Sequence, residues 1–63
     1  MNLGNLVTLH SPISAYSETG EVFSLDPGCT GLVLGYDDYD ITLLMYGSIL
    51  YTQSTNESAL SVG

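Results

Sequence analysis

The sequence predicts an all-β protein. Runs of four to seven apolar, β-branched and aromatic residues alternate with clusters of Gly, Pro, Asn, Asp and Ser, which is typical of short strands joined by turns. Apolar residues recur nowhere at helical spacing for long. With 63 residues, the chain has room for one small domain, residues 1–63, and it needs nearly all of its apolar residues for a single core.

The first strand is predicted at Leu6 to Leu9. It must end before Pro12, because proline has no amide hydrogen to donate to a sheet. Ile13 to Tyr16 and Val22 to Leu25 are predicted to be the two arms of an irregular hairpin. The tip of that hairpin is a polar run ending in glycine, namely Ser17, Glu18, Thr19 and Gly20.

A turn and a bent strand follow. Asp26, Pro27 and Gly28 predict a tight turn, because proline suits its second position and glycine accepts a positive φ at its third. The next predicted strand is Gly31 to Tyr36. Its two glycines, at positions 31 and 35, indicate strong bending or a bulge.

The second half of the chain predicts a tight hairpin. Its arms, Ile41 to Tyr46 and Ile49 to Thr52, flank the pair Gly47-Ser48, which fits a two-residue type II′ turn with glycine first. Such a turn places residue 46 opposite 49, 45 opposite 50, 44 opposite 51 and 43 opposite 52. After the hairpin, Ser54 to Ala59 predicts one 3₁₀ turn. Leu60 to Val62 then predicts a short closing strand.

This order of elements resembles the SH3-like small barrel. The likeness is greatest over residues 41–52 and 54–60, which are similar to the distal hairpin, 3₁₀ turn and last strand of that fold, and it covers residues 5–62. The resemblance implies a five-stranded barrel with one 3₁₀ turn before the last strand. The chain has no tryptophan, and Gln53 replaces the proline usual after the hairpin, so it looks more like the short free-standing SH3-like proteins of bacteriophages, including those of cyanobacteria.

Both faces of the predicted hairpin are apolar. One carries Leu43, Met45, Leu50 and Thr52, extended by Ile41, and the other carries Leu44, Tyr46, Ile49 and Tyr51. A small barrel has only one interior. By analogy with the SH3-like barrel, the first face belongs to the core, and the tyrosine-bearing face is the predicted binding site for a protein partner. The alternative is that the hairpin of residues 13–25 folds over this second face and makes it ordinary core.

The charge of the chain limits its partners. Seven carboxylates and no lysine or arginine give a net charge of −7. Nucleic acids and anionic membranes are therefore excluded as partners, because both are bound through cations. A basic protein would relieve the self-repulsion, and Asp37, Asp38 and Asp40 form the predicted acidic contact patch. Their spacing is not that of an EF-hand, so a solvated turn is predicted, with neither a metal site nor a cofactor.

Catalysis is not predicted. Cys29 and His10 could in principle belong to a nucleophilic site, but nothing in their spacing indicates an orienting acid or an oxyanion pocket. Cys29 is better explained as a small packed residue, and His10 as a half-exposed structural one. We therefore expect a protein that is not an enzyme.

Two non-enzymatic functions remain, beside a stand-alone adaptor for one bacterial protein that the sequence does not separate from them. The resemblance implies a phage structural accessory, such as a capsid cement or decoration protein, that docks in many copies on a larger virion protein. Its location would be the virion, with assembly in the host cytoplasm. The alternative is a small acidic inhibitor, or nucleic-acid mimic, that occupies a basic groove of a host protein, although seven carboxylates in 63 residues are sparse for an imitation of phosphates.

Overall fold

The computed structural model describes residues 2–63, which form seven strands and one 3₁₀ turn. The strands are β1 (Leu6–Leu9), β2 (Ile13–Ser17), β3 (Val22–Leu25), β4 (Thr30–Tyr36), β5 (Asp40–Met45), β6 (Ser48–Gln53) and β7 (Leu60–Val62), and the 3₁₀ turn is Ser54–Ala59. All pairs are antiparallel, in one open sheet of order β3-β2-β6-β5-β4-β1-β7. The all-β prediction is confirmed, whereas a five-stranded barrel is not. Within residues 2–63, no helix is long and apolar enough to cross a membrane.

Turn chemistry sets most of the strand boundaries. The β2–β3 hairpin turns where predicted, with Gly20 at φ +88° and the Ser17 N–H donating to the Glu21 carbonyl at 2.8 Å. Gly28 takes φ +96° after Pro27, and the Cys29 N–H closes that turn on the Asp26 carbonyl at 3.4 Å. Both predicted turns are therefore confirmed, and so are the 3₁₀ turn and the closing strand.

Strand β4 bends at a bulge, as its glycines predict. Val33 pairs with Leu43, whereas Gly35 pairs with Thr42, so Leu34 is the extra residue between them. The bulge bends β4 and increases its twist. Leu32 and Leu34 then lie on one side of the strand and are partly exposed, while Val33 is buried.

The predicted turn of the β5–β6 hairpin is wrong. Met45 pairs with Ser48, Leu44 with Ile49 and Leu43 with Leu50, so the turn residues are Tyr46 and Gly47, not Gly47 and Ser48. Both have positive φ, +53° and +74°, which is the requirement of a type I′ turn. Such a turn matches the twist of the flanking strands, and glycine takes its second position. Compared with the predicted pairing, the residue opposite each β5 residue changes by two positions. Every side chain therefore stays on its predicted face, because side chains alternate between the two faces with a period of two.

One face of the sheet encloses the core. The predicted inner face of the hairpin is confirmed, since Ile41, Leu43, Met45 and Leu50 are buried with apolar residues of β1 to β4. Thr52 is buried among them, and its hydroxyl donates to the Ser14 carbonyl at 2.9 Å and accepts from Asn56 Nδ2 at 2.7 Å. This hydroxyl joins β6 to β2 and to the 3₁₀ turn, so its burial leaves no unpaired polar group.

Gly31→Ala is expected to destabilise the fold by about 1–3 kcal/mol. A Cβ at this position would lie 2.6 Å from Met45 Cγ, in the core and against the β5 backbone. Gly35→Ala is the matched control on the same strand, because its Cβ would meet only Thr42, at 3.3 Å and beyond. Both changes restrict the unfolded chain equally. Urea unfolding measures the difference, and equal midpoints for the two variants would contradict the close approach at Gly31.

Candidate docking surface

A row of aliphatic side chains crosses the outer face, which is the side of the sheet turned away from the core. Strand pairing places Leu6 opposite Leu32, Leu32 opposite Leu44 and Leu44 opposite Ile49, across β1, β4, β5 and β6. Leu6 is 60% exposed, Leu44 37% and Ile49 39%, and Leu32 is half-buried. Three strand spacings give this apolar row a length of about 14 Å. An aliphatic row of this kind, partly open to solvent, is a candidate contact surface.

The structure brings together three of the four residues predicted for partner binding. Leu44 and Ile49 face each other, and Tyr51 lies one row further along, between Thr42 and Tyr16. Tyr46 lies apart, in the hairpin turn, where it is 78% exposed and its hydroxyl donates to Cys29 Sγ at 3.1 Å. Residues 13–25 do not cover this face, because β2 pairs with the edge of β6 instead.

Sequence reasoning missed the β1 and β4 part of the apolar row. The pairing of Leu6 with Leu32 joins strands far apart in the chain, so no local spacing reveals it. The available signal was in β4, where leucines at 32 and 34 alternate with Val33, which makes both faces of that strand apolar. The sequence-based prediction of two apolar faces covers only the β5–β6 hairpin.

Tyrosine hydroxyls supply the hydrogen-bond donors that lysine and arginine would usually supply. Tyr16 donates to Asp40 Oδ1 at 2.7 Å, Tyr36 donates to Glu57 Oε2 at 2.7 Å, and Tyr51 donates to Glu18 Oε1 at 3.3 Å. The rings of Tyr16 and Tyr51 stack on the outer face with centroids 6.2 Å apart. Asp40 and Glu18 are thus held beside the apolar row, each by a hydrogen bond from a neutral tyrosine hydroxyl.

These contacts raise the pKa of the tyrosines. The hydrogen bond to Asp40, followed by burial and the Asp40 charge, raises the pKa of Tyr16 above 10.0. The hydrogen bond to Glu57 raises the pKa of Tyr36 in the same way. Burial is the largest cause for Tyr51, and the charge of Glu18 adds to it. For Tyr46, the hydrogen bond to Cys29 is the main cause of its raised pKa.

The predicted acidic patch is an ordered loop. Asp37 Oδ1 accepts the backbone N–H groups of Tyr39 and Asp40, at 2.7 and 2.8 Å. These two bonds lower the pKa of Asp37 below 3.8, so they stabilise the fold above that pH and are lost as the pH falls through the folded-state pKa. Asp38 is exposed, and Asp40 is the first residue of β5, not a loop residue. The three carboxylates therefore point to different surroundings.

An open groove of about 430 Å³ lies between the tips of the two hairpins. The β2–β3 hairpin contributes Glu18, Glu21 and Phe23 to its lining, and β6 contributes Ile49 and Leu50. Ile49 also belongs to the apolar row, so the groove continues that row beyond β6. The surface therefore changes from aliphatic to acidic at its Ile49 end.

The other candidate residues are placed separately. Cys29 is half-buried and packs against the core, as predicted, and His10 is exposed. In the part of the chain that the structure describes, no three His, Cys, Asp or Glu side chains come together in a way that could hold a metal ion.

Replacing Tyr16 and Tyr51 by Phe is expected to flatten the loss of stability at alkaline pH. Because the folded-state pKa values are raised, the unfolded chain loses these protons first, so wild-type stability falls as the pH rises through about 10 and above. Denaturant unfolding at several pH values between about 9 and 12 gives the slope. Tyr39→Phe, an exposed loop position, is the control, and a double variant with the wild-type slope would contradict the tyrosine–carboxylate contacts.

The chain matches no protein-family model, no curated protein and no solved structure. Its function has to be inferred from its own surface, which combines the apolar row, the stacked tyrosines and the carboxylates beside them.

Proposed function

We propose that this chain is a non-enzymatic structural accessory protein of a bacteriophage particle. It docks in many copies on a larger virion protein, such as the capsid protein, through its outer face. The observation that carries the proposal is the apolar row of Leu6, Leu32, Leu44 and Ile49, which the protomer leaves partly open to solvent. The protein acts in the virion and is assembled onto it in the host cytoplasm.

The proposed fold is an SH3-like small barrel of the free-standing phage type. Supporting it is the order of elements on which the resemblance rests: a strand, a long irregular hairpin, a turn at Pro27 and Gly28, a tight hairpin, one 3₁₀ turn and a closing strand. All of these elements are present. The β2–β3 hairpin extends the sheet beyond β6, and this accounts for the two strands in excess of five.

Burial of the apolar row contributes favourably to docking. Removing apolar surface from water contributes about 25 cal/mol per Å². The still exposed parts of Leu44 and Ile49 then contribute about 1 kcal/mol each when a partner covers them. Tyr51 and Tyr16 add large, conformationally restricted rings next to the row, a side-chain type enriched in interfaces.

Leu44→Ser combined with Ile49→Ser is expected to weaken docking roughly 30-fold without unfolding the protein. Mass spectrometry of purified phage particles, grown with the wild-type or variant gene, measures the copy number of this chain per particle. The wild-type chain should be present in tens of copies or more, and the double variant should be strongly depleted. Leu3→Ser with Tyr39→Ser is the control, since both side chains are more exposed and lie outside the row.

Absence of the wild-type chain from particles, together with abundant early expression, would reject the structural role. Tyr46→Ala and Tyr51→Ala, tested singly and together, show whether the hairpin tip also contacts the partner. Tyr51 lies beside the row, whereas Tyr46 projects from the turn, so the single variants separate the two positions.

The second candidate is an acidic inhibitor that binds a basic groove of a host protein. The observation favouring it is the net charge of −7, with no lysine or arginine anywhere in the chain. Asp37, Asp38 and Asp40 lie within four residues of one another in the chain, and Asp38 is exposed.

Changing Asp37, Asp38 and Asp40 together to Asn is the test of this second role. Asn keeps the side-chain oxygens that accept from Tyr39, Asp40 and Tyr16, so the loop should survive while three charges are lost. An inhibitor should then lose its affinity for the host protein and the steep salt dependence of binding. An unchanged inhibition constant would rule out charge mimicry.

A further inference from the structure

We propose, building on the docking role above, that the partner presents an apolar ridge with arginine or lysine side chains beside one half only, where they meet Glu18 and Asp40. The occupant of the outer face is thus a protein surface of defined polarity, basic at the β6 end and neutral at the β1 end. The inference rests on how the carboxylates are distributed about the apolar row.

Two acidic side chains flank the β5–β6 half of the row, with Glu18 beyond its Ile49 end and Asp40 to the side of Leu44. The register between β2 and β6 pairs Ser17 with Leu50, and its continuation places Glu18 beside Ile49. Asp40 lies on the outer face four residues from Leu44 along β5, a distance of about 13 Å. At the opposite end, none of the three strands β4, β1 and β7 contains Asp or Glu. The face is therefore polarised along the row.

Both carboxylates retain capacity for a cation. Each accepts one hydrogen bond from a neutral tyrosine hydroxyl, Tyr16 for Asp40 and Tyr51 for Glu18, whereas an ionised carboxylate has about four acceptor sites. A bond from a charged donor is roughly twice as strong as a neutral one. The stacked rings of Tyr16 and Tyr51 lie between these carboxylates, and an arginine or lysine stem can pack on them while its head reaches the acid.

A second copy of this chain does not fit the same face. Two copies would bring charges of −7 against −7, and neither copy has a lysine or arginine with which to pair Glu18 or Asp40. Like charges opposed across an interface cost several kcal/mol. Charge complementarity thus selects a different protein. One of its cations lies just beyond the end of its apolar ridge, opposite Glu18, and another lies about 13 Å to the side of the ridge, opposite Asp40.

The probe is an amphipathic helical peptide of about 14 residues, long enough at ~20 Å to cover the row. It carries leucine at every third or fourth position, so that the leucines form one apolar face of the helix. Two arginines flank this apolar face at one end of the peptide. Two matched peptides complete the set, one with citrulline in place of arginine and one with alanine in place of leucine. NMR titration of the isotope-labelled full chain with each peptide measures both the dissociation constant and the residues contacted.

The arginine–leucine peptide should shift the amide signals of Leu6, Leu32, Leu44 and Ile49. The citrulline and alanine peptides should each bind at least fivefold more weakly. Glu18→Gln with Asp40→Asn should weaken the arginine–leucine peptide about fivefold, and it keeps the oxygens that accept from Tyr51 and Tyr16. Asp26→Asn with Glu57→Gln removes two charges elsewhere and should have little effect.

Three results would overturn the inference. The first is that the arginine–leucine peptide does not bind, and the second is that it shifts only the signals of residues outside the row. The third is that the two double variants weaken peptide binding equally, which would mean that net charge alone attracts the peptide. Failure of the structural role is distinguishable from these results. A chain that is absent from particles but binds the peptide at the row keeps the polarity of the face and loses only its proposed place in the virion.

Discussion

A seven-stranded sheet made from 63 residues can cover only one of its two faces. The buried side chains of β1 to β6 all meet on the inner side, where Leu43 and Met45 pack without exposure to water. Residues 2–63 form no second layer over the other side, because the β2–β3 hairpin extends the sheet at its edge instead of folding across that side. Strands with apolar residues on both faces therefore place leucine and isoleucine at the surface. The apolar row stays partly exposed because the chain is too short to form a second layer over it.

The absence of cations has an equally general effect on the polar surface. Carboxylates in most proteins are partnered by lysine or arginine, and here tyrosine takes over part of that role, with Asp40, Glu57 and Glu18 each accepting from a phenol. A phenol fixes the carboxylate in place without neutralising it. The surface is in this way ordered and still fully anionic, and this order lowers the side-chain entropy cost of binding the proposed basic partner.

Local chemistry predicted most elements of the fold and only part of the candidate surface. The positions of glycine and proline predict the turns at Gly20 and Gly28. The alternation of side chains along the strands predicts which face of the β5–β6 hairpin is buried. The hairpin turn was misassigned because both Tyr46-Gly47 and Gly47-Ser48 contain a glycine that can take positive φ, and tyrosine is an unusual choice for a left-handed position. The neighbours of Leu6 depend on the pairing of β1 with β4, which only the folded chain determines.

The outermost strands show how a sheet with open edges avoids joining its own copies. Strand β3 is flanked by Glu21 and Asp26, one at each end. If two molecules aligned their β3 strands, antiparallel pairing would set Glu21 against Asp26 and parallel pairing would set each acid against itself, and both arrangements are repulsive. The other edge, β7, is only three residues long and offers few backbone groups for recruitment. Crowding at high local concentration should therefore leave the molecules separate, without growth of intermolecular sheets.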